Sequence, residues 1–111
     1  MGDINDMYRA GLLAERAALE AEGARTSGDR RAVALDQQSV GRLSRMDAMQ
    51  QQSMAEAQER RRRARMTAID AALARIEAGE FGYCVDCGEE IAEARLAHDP
   101  TIPRCIDCAR G

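Results

Sequence analysis

Two short stretches decide how this 111-residue chain is read: "FGYCVDCGEE" over Phe81–Glu90 and "RCIDCARG" over Arg104–Gly111. Together they place Cys84, Cys87, Cys105 and Cys108 in the pattern C-x2-C-x17-C-x2-C. Two close pairs joined by a loop bring two thiolates each to one side of a tetrahedral site, the arrangement of a bound Zn2+. Four sulfurs leave no open coordination position, so one zinc held here is structural rather than catalytic. Gly88 follows Cys87, and a residue without Cβ lets the backbone turn its N–H groups toward the sulfurs. Similar knuckles hold iron in rubredoxin-like sites, and paired thiols also serve as disulfides or redox switches. His98, the only histidine, stands outside a ligand set that is already complete, and it reads as a solvated side chain.

Composition explains the need for a metal. Aromatic residues are limited to Tyr8, Phe81 and Tyr83, and there is no Trp. The residues after Gly79 are too few to bury a core of their own, so the metal takes its place. Binding of a structural zinc is worth roughly 10 kcal/mol or more and is coupled to folding.

The net charge of −3 argues against polyanion binding by bulk charge. All 16 basic residues are Arg, and Arg60, Arg61, Arg62, Arg63 and Arg65 form a block. The N-terminus lacks a basic region followed by an apolar one, so it does not read as a signal peptide. No run approaches the ~20 apolar residues of a membrane span. A cytoplasmic protein is expected, and in a reducing compartment paired cysteines read first as metal ligands.

The rest of the chain reads as helix. The expected organisation is a helical hairpin over 1–79 and a zinc-finger module over 80–111. The first helix is expected over about 3–23, with Asp3 as N-cap and Gly23 as C-cap; Ile4, Tyr8, Leu12 and Leu19 share roughly one face. The stretch "ARTSGDRRA" (24–32) carries turn chemistry in Ser27-Gly28-Asp29. A second helix is expected over about 33–78, free of Pro and ended by Gly79. Val40, Leu43, Met54 and Ala57 form one seam on it. Met66, Ile69, Leu73 and Ile76 form another at the 3-4-3 spacing of coiled coils. The fold class is therefore mainly α: an antiparallel, coiled-coil-like hairpin with a small C-terminal four-cysteine module. A first arm of about 20 residues leaves the second seam without a partner inside the hairpin. The cysteine module or a second copy of the chain, in a homodimer, is expected to cover it.

The segment from Ile76 to the last cysteine resembles the DksA/TraR family of bacterial transcription regulators. The resemblance rests on Ile-Glu-x-Gly-x-Phe-Gly-Tyr-Cys (Ile76–Cys84), Cys87-Gly88, Ile91, Arg95-Leu96, Pro100-Thr101 and Cys-Ile-Asp-Cys (Cys105–Cys108). It is dense over 76–109 and looser along the helices. The resemblance implies a coiled-coil hairpin that enters the secondary channel of RNA polymerase, with acidic tip residues near the catalytic magnesium. It implies a zinc module packed on the outer rim, and action that is often joint with ppGpp. The family's tip motif Asp-x-x-Asp-x-Ala is missing here. The expected turn keeps Asp29, with Thr26 where the earlier Asp would be. Basic groups flank the finger in ppGpp-responsive members, whereas this chain has Asp99 and Ala109, which leaves ppGpp dependence open.

The candidate polymerase-facing residues are Asp29, Asp36, Arg42, Arg45 and Asp47. Each also has a plain reading, as a helix cap for Asp29 and as members of a solvated, ion-paired face for the others. Gly41, within a helix, costs up to about 1 kcal/mol and invites a packing reason. The Arg60–Arg65 block is a candidate basic contact face for an acidic protein surface. Without aromatic residues between the cations, sequence-specific DNA binding is not expected. The leading reading is a non-enzymatic regulator that binds RNA polymerase. Beside it stand a zinc-stabilised helical interaction protein, dimeric through Met66, Ile69, Leu73 and Ile76, and a redox sensor built on the cysteines. No nucleophile–base pair or phosphate-cradling Gly loop supports an enzyme.

Overall fold

The computed structural model describes residues 2–37 and 42–111, with side chains described over 4–25 and 45–111. Four helices follow one another: α1 (Gly2–Gln37), α2 (Arg42–Ala78), α3 (Glu93–His98) and α4 (Ile106–Arg110). The only β pairing among the described residues is one antiparallel bridge between Tyr83 and Glu90. This is the expected antiparallel helical hairpin with a small cysteine module. No helix among the described residues is long and apolar enough to cross a membrane.

The arms of the hairpin differ from the expected ones. α1 continues through residues 24–32, and its 36 residues match the 37 of α2. The turn expected at Ser27-Gly28-Asp29 is helix. One Gly inside a helix costs only about 1 kcal/mol, and Ala24, Arg25, Arg30, Arg31 and Ala32 around it are compatible with helix. No Pro is present to force a break. The connection between the arms therefore lies after Gln37, and α2 starts at Arg42 rather than at residue 33. Gly23 is a helix-interior residue and not a C-cap. Val40 and Gly41 lie outside the described residues, as does the Leu43 side chain.

The chain divides into two compact units, residues 1–16 with 67–111 and residues 17–66. In the first unit, Ile69 and Ala72 of α2 are completely buried, and Leu12 of α1 is nearly so. Each large apolar side chain buried in this way contributes roughly 1.5–3 kcal/mol. Antiparallel register is visible in two ion pairs, Arg9 with Glu77 at 3.4 Å and Arg16 with Asp70 at 2.7 Å. Both are solvent-facing, so they mark register more than they add stability. Ile69 and Ile76 are thus covered within one chain. The seam expected to lack a partner has one, because the first arm is longer than the Gly23 stop suggested. A homodimer through Ile69 and Ile76 loses its surface for the same reason.

The expected stop at Gly79 is present. Gly79 takes φ 74°, the Glu80 N–H donates to Arg75 O at 2.8 Å, and the Gly79 N–H donates to Ile76 O at 3.2 Å. These two bonds close the helix in a Schellman motif. The chain then turns Phe81 inward, where its ring meets Tyr8 of α1 at a centroid distance of 5.3 Å and a tilt of 47°. Two of the three aromatic residues are spent on fixing the start of the module against α1. Ile91 and Leu96 complete its small apolar interior.

Candidate functional site

Backbone hydrogen bonds shape the first knuckle around Cys84 and Cys87. The Cys84 N–H donates to Glu89 O at 2.8 Å, the Ile91 N–H to Gly82 O at 2.8 Å, and the Gly88 N–H to Cys84 O at 2.9 Å. Gly88 takes φ 76°, the left-handed conformation that a side chain disfavours. The second knuckle places Cys105 immediately before α4 and Cys108 within it. The Val85 N–H donates to Pro103 O at 2.9 Å, and Arg104 Nε donates to Asp86 Oδ2 at 2.6 Å. These two bonds tie the knuckles together.

The result is a cluster in which the four Sγ atoms lie within 4.8 Å of one another. Cys87 Sγ and Cys105 Sγ are 3.7 Å apart, close to the edge of about 3.8 Å that a tetrahedron with ~2.3 Å Zn–S bonds requires. All four thiols are free of disulfides. The donor set therefore fits one structural zinc held by Cys84, Cys87, Cys105 and Cys108. The N–H groups of Cys105 and Cys87 bring the Cys84 thiol down to about 6. Contacts with the sulfurs of Cys105, Cys84 and Cys87 push Cys108 up. Crowded sulfurs sharing protons in this way suit a cation that replaces those protons. Arg104, held protonated first by Asp86 and then by the negative sulfurs of Cys84 and Cys108, supplies nearby counter-charge. His98 is exposed and is not part of the cluster.

The other candidate residues are dispersed. Asp29 lies within α1 and Asp36 in its last turn, while Arg42 opens α2; their side chains are outside the described residues. Arg45 and Asp47, on the first turns of α2, are exposed. The basic block is not one surface. The Arg62 side chain is only 17% exposed. Its Nε donates to Glu59 Oε2 at 2.9 Å, and its Nη2 also meets Glu59. Its Nη1 reaches Leu19 O at 3.4 Å and Met66 Sδ at 2.9 Å. Arg63 pairs with Glu59 at 3.0 Å from an exposed position. Arg60 and Arg61 are exposed and Arg65 is half-buried. A run of five cations carries no period from which to tell which of them turns inward.

Sequence reasoning missed Arg75. Its Nη2 donates to Thr101 O at 3.3 Å. Thr101 is itself buried, and Asp99 Oδ1 accepts from both its N–H (3.0 Å) and its Oγ1 (2.8 Å). Asp99, at a flank of the finger, holds that loop through these two bonds. Only the register of Arg75 beside Ile76 signalled that it faces the module.

Comparison with known proteins agrees with this architecture. Residues 79–111 match the prokaryotic dksA/traR C4-type zinc finger. The RNA polymerase-binding transcription factor DksA of Haemophilus influenzae is 48% identical over 48 residues, which is 43% of this chain and 33% of that protein. The protein of the same description from Escherichia coli K12 is 48% identical over 40 residues, covering 36% of this chain and 26% of that one. The chain thus spans about a third or less of the length of these curated relatives. The structure of transcription factor DksA2 from Pseudomonas aeruginosa matches 96% of this chain and 80% of that one, with TM-score 0.82 and 26% identity. The finger's sequence and the shared helical fold lead to one conclusion: residues 79–111 are similar to the dksA/traR C4-type zinc finger, and the helical fold is similar to that of DksA2.

Proposed function

We propose that this protein is a bacterial transcription regulator that binds RNA polymerase, inserting its helical hairpin into the secondary channel while the zinc module holds the base. The observation that carries the reading is the extent of the likeness to DksA2, which takes in hairpin and module together and not the finger alone. The relatives described as RNA polymerase-binding transcription factors add the partner. The protein works by binding and not by catalysis, because its metal centre is closed by four sulfurs. It acts in the cytoplasm, where its partner is.

In this reading the inserted end is the connection after Gln37, flanked by Asp36, Arg42, Arg45 and Asp47, with Asp29 on the last turns of α1. Arg60, Arg61 and Arg63 offer charge to an acidic rim. The test is direct binding of the zinc-loaded protein to purified bacterial RNA polymerase, with a competitor that occupies the secondary channel. Displacement by the competitor is expected. Binding that the competitor leaves intact would remove the channel from the proposal, and absence of binding would remove the polymerase.

A further inference from the structure

Arg75 is a cation with little to neutralise it. A guanidinium offers five N–H donors, and among the described residues the one hydrogen bond made by the Arg75 guanidinium runs to the neutral Thr101 carbonyl. No carboxylate among the described residues forms an ion pair with it. Burial lowers its pKa, with no acid working in the opposite direction. A partly buried charge is normally paired or hydrogen-bonded throughout, because desolvation without a partner is costly.

The side chain lines an open cleft of about 370 Å3, bordered by Tyr83 and Val85 and with Gly79 and Gly88 in its wall. A Cβ at either glycine would meet nothing within 4 Å, so the space above them is clear. Tyr83 and Val85 are 42% and 53% exposed. An arginine set behind an exposed tyrosine and an exposed aliphatic side chain has the composition of an interface hot spot. Glu80 and Cys84 also line the cleft, and among the described residues Glu80 forms no ion pair with Arg75.

We infer that this cleft is a receptor for an aspartate or glutamate side chain of a protein partner, with Arg75 taking the carboxylate and Tyr83 and Val85 packing on the residue beside it. The identity of the partner rests on the polymerase reading; the carboxylate chemistry rests on Arg75 alone.

Two measurements on the full-length, zinc-loaded protein test it. In the first, binding to purified RNA polymerase is compared for the wild type, Arg75→Gln, Val85→Glu and Val85→Arg, with zinc content and melting temperature checked for each. Arg75→Gln and Val85→Glu are expected to weaken binding roughly tenfold or more, and Val85→Arg to preserve it. Val85 is exposed and its backbone bond survives substitution, so the Val85 pair separates charge at the mouth from any folding role of Arg75. In the second, the Arg75 Nε–H and Val85 amide NMR signals are followed during titration with N-acetyl-glutamate-amide, and with its glutamine analogue. Shifts with the glutamate probe alone are expected. If the wild type binds polymerase and Arg75→Gln and Val85→Glu bind equally well, the receptor is refuted and the polymerase reading stands. If the wild type does not bind but the glutamate probe shifts the signals, the polymerase reading fails and the receptor stands. A probe that leaves both signals in place, or moves them equally in both forms, refutes the receptor.

Discussion

Arg62 occupies the space that a side chain at Gly23 would need: a Cβ there would stand 2.6 Å from Arg62 Cζ and 2.8 Å from Nε and Nη1. Gly23 therefore sits inside α1 because the guanidinium of α2 lies across it, bonded to Glu59 and reaching Leu19 O. Gly11, in the same helix, has nothing within 4 Å of its own Cβ position. Replacing Gly by Ala in a helix interior is worth about 0.5–1 kcal/mol where space allows. Gly11→Ala is expected to stabilise by that amount in urea unfolding. Gly23→Ala should show a smaller gain or a loss, since Arg62 must move. The difference should shrink when Arg62→Ala is added to both. Equal gains at the two glycines in the wild-type background would show that Arg62 moves without cost.

The buried seam of α2 yields a second prediction. Ile69 is completely buried, and truncation of such a side chain to Ala costs about 2–5 kcal/mol. Ile69→Ala should lower the unfolding free energy by that much. Met54→Ala, at a position 64% exposed, should stay within about 0.5 kcal/mol of the wild type. Chemical unfolding followed by circular dichroism distinguishes the two, and equal effects would contradict the burial pattern.

Metal content gives a third. The purified protein should carry one zinc per chain by elemental analysis. Cys84→Ser and Cys105→Ser should each lose it and expose the backbone amides of residues 80–111 to fast hydrogen exchange. A variant that remains protected after losing a ligand would show that the apolar contacts of Phe81, Ile91 and Leu96 suffice without the metal.

The Arg16–Asp70 pair sets a pH dependence. Hydrogen bonding from Arg16 holds the Asp70 carboxyl below its ordinary value. A carboxylate with a lowered folded-state pKa contributes stability that is present above the unfolded pKa and lost as the pH falls through the lowered one. The carboxyl carbon of Asp70 should thus titrate below the usual aspartate range by NMR. Arg16→Gln should move its midpoint back up. A midpoint indifferent to Arg16 would place the contact outside the solution structure.

The metal centre was legible because ligand spacing is a local property, and four cysteines in two C-x2-C pairs admit few arrangements. Gly79 was legible for the same reason: a Schellman end is written in the residues that form it. The connection between the arms was not. Ser27-Gly28-Asp29 has the local chemistry of a turn, yet the pairing of α1 with α2 outweighs a penalty of about 1 kcal/mol at one Gly. That error of position then removed the partner of Ile69 and Ile76, which only a longer first arm supplies. Arg62 and Arg75 were illegible from the start. Their roles depend on Gly23 and Thr101, 39 and 26 residues away in the chain, and no periodicity encodes such a meeting.

The arrangement of the four sulfurs also bears on how the module fails. Two come from each side of a 17-residue span that includes the exposed residues Glu93 and Ala94. A protease that cuts this span leaves two peptides, each still holding half of the ligand set. The ion then does what a peptide bond did before the cut, and the pieces remain together until a chelator is added. Damage to the backbone of this module is thus silent for as long as the metal stays in place.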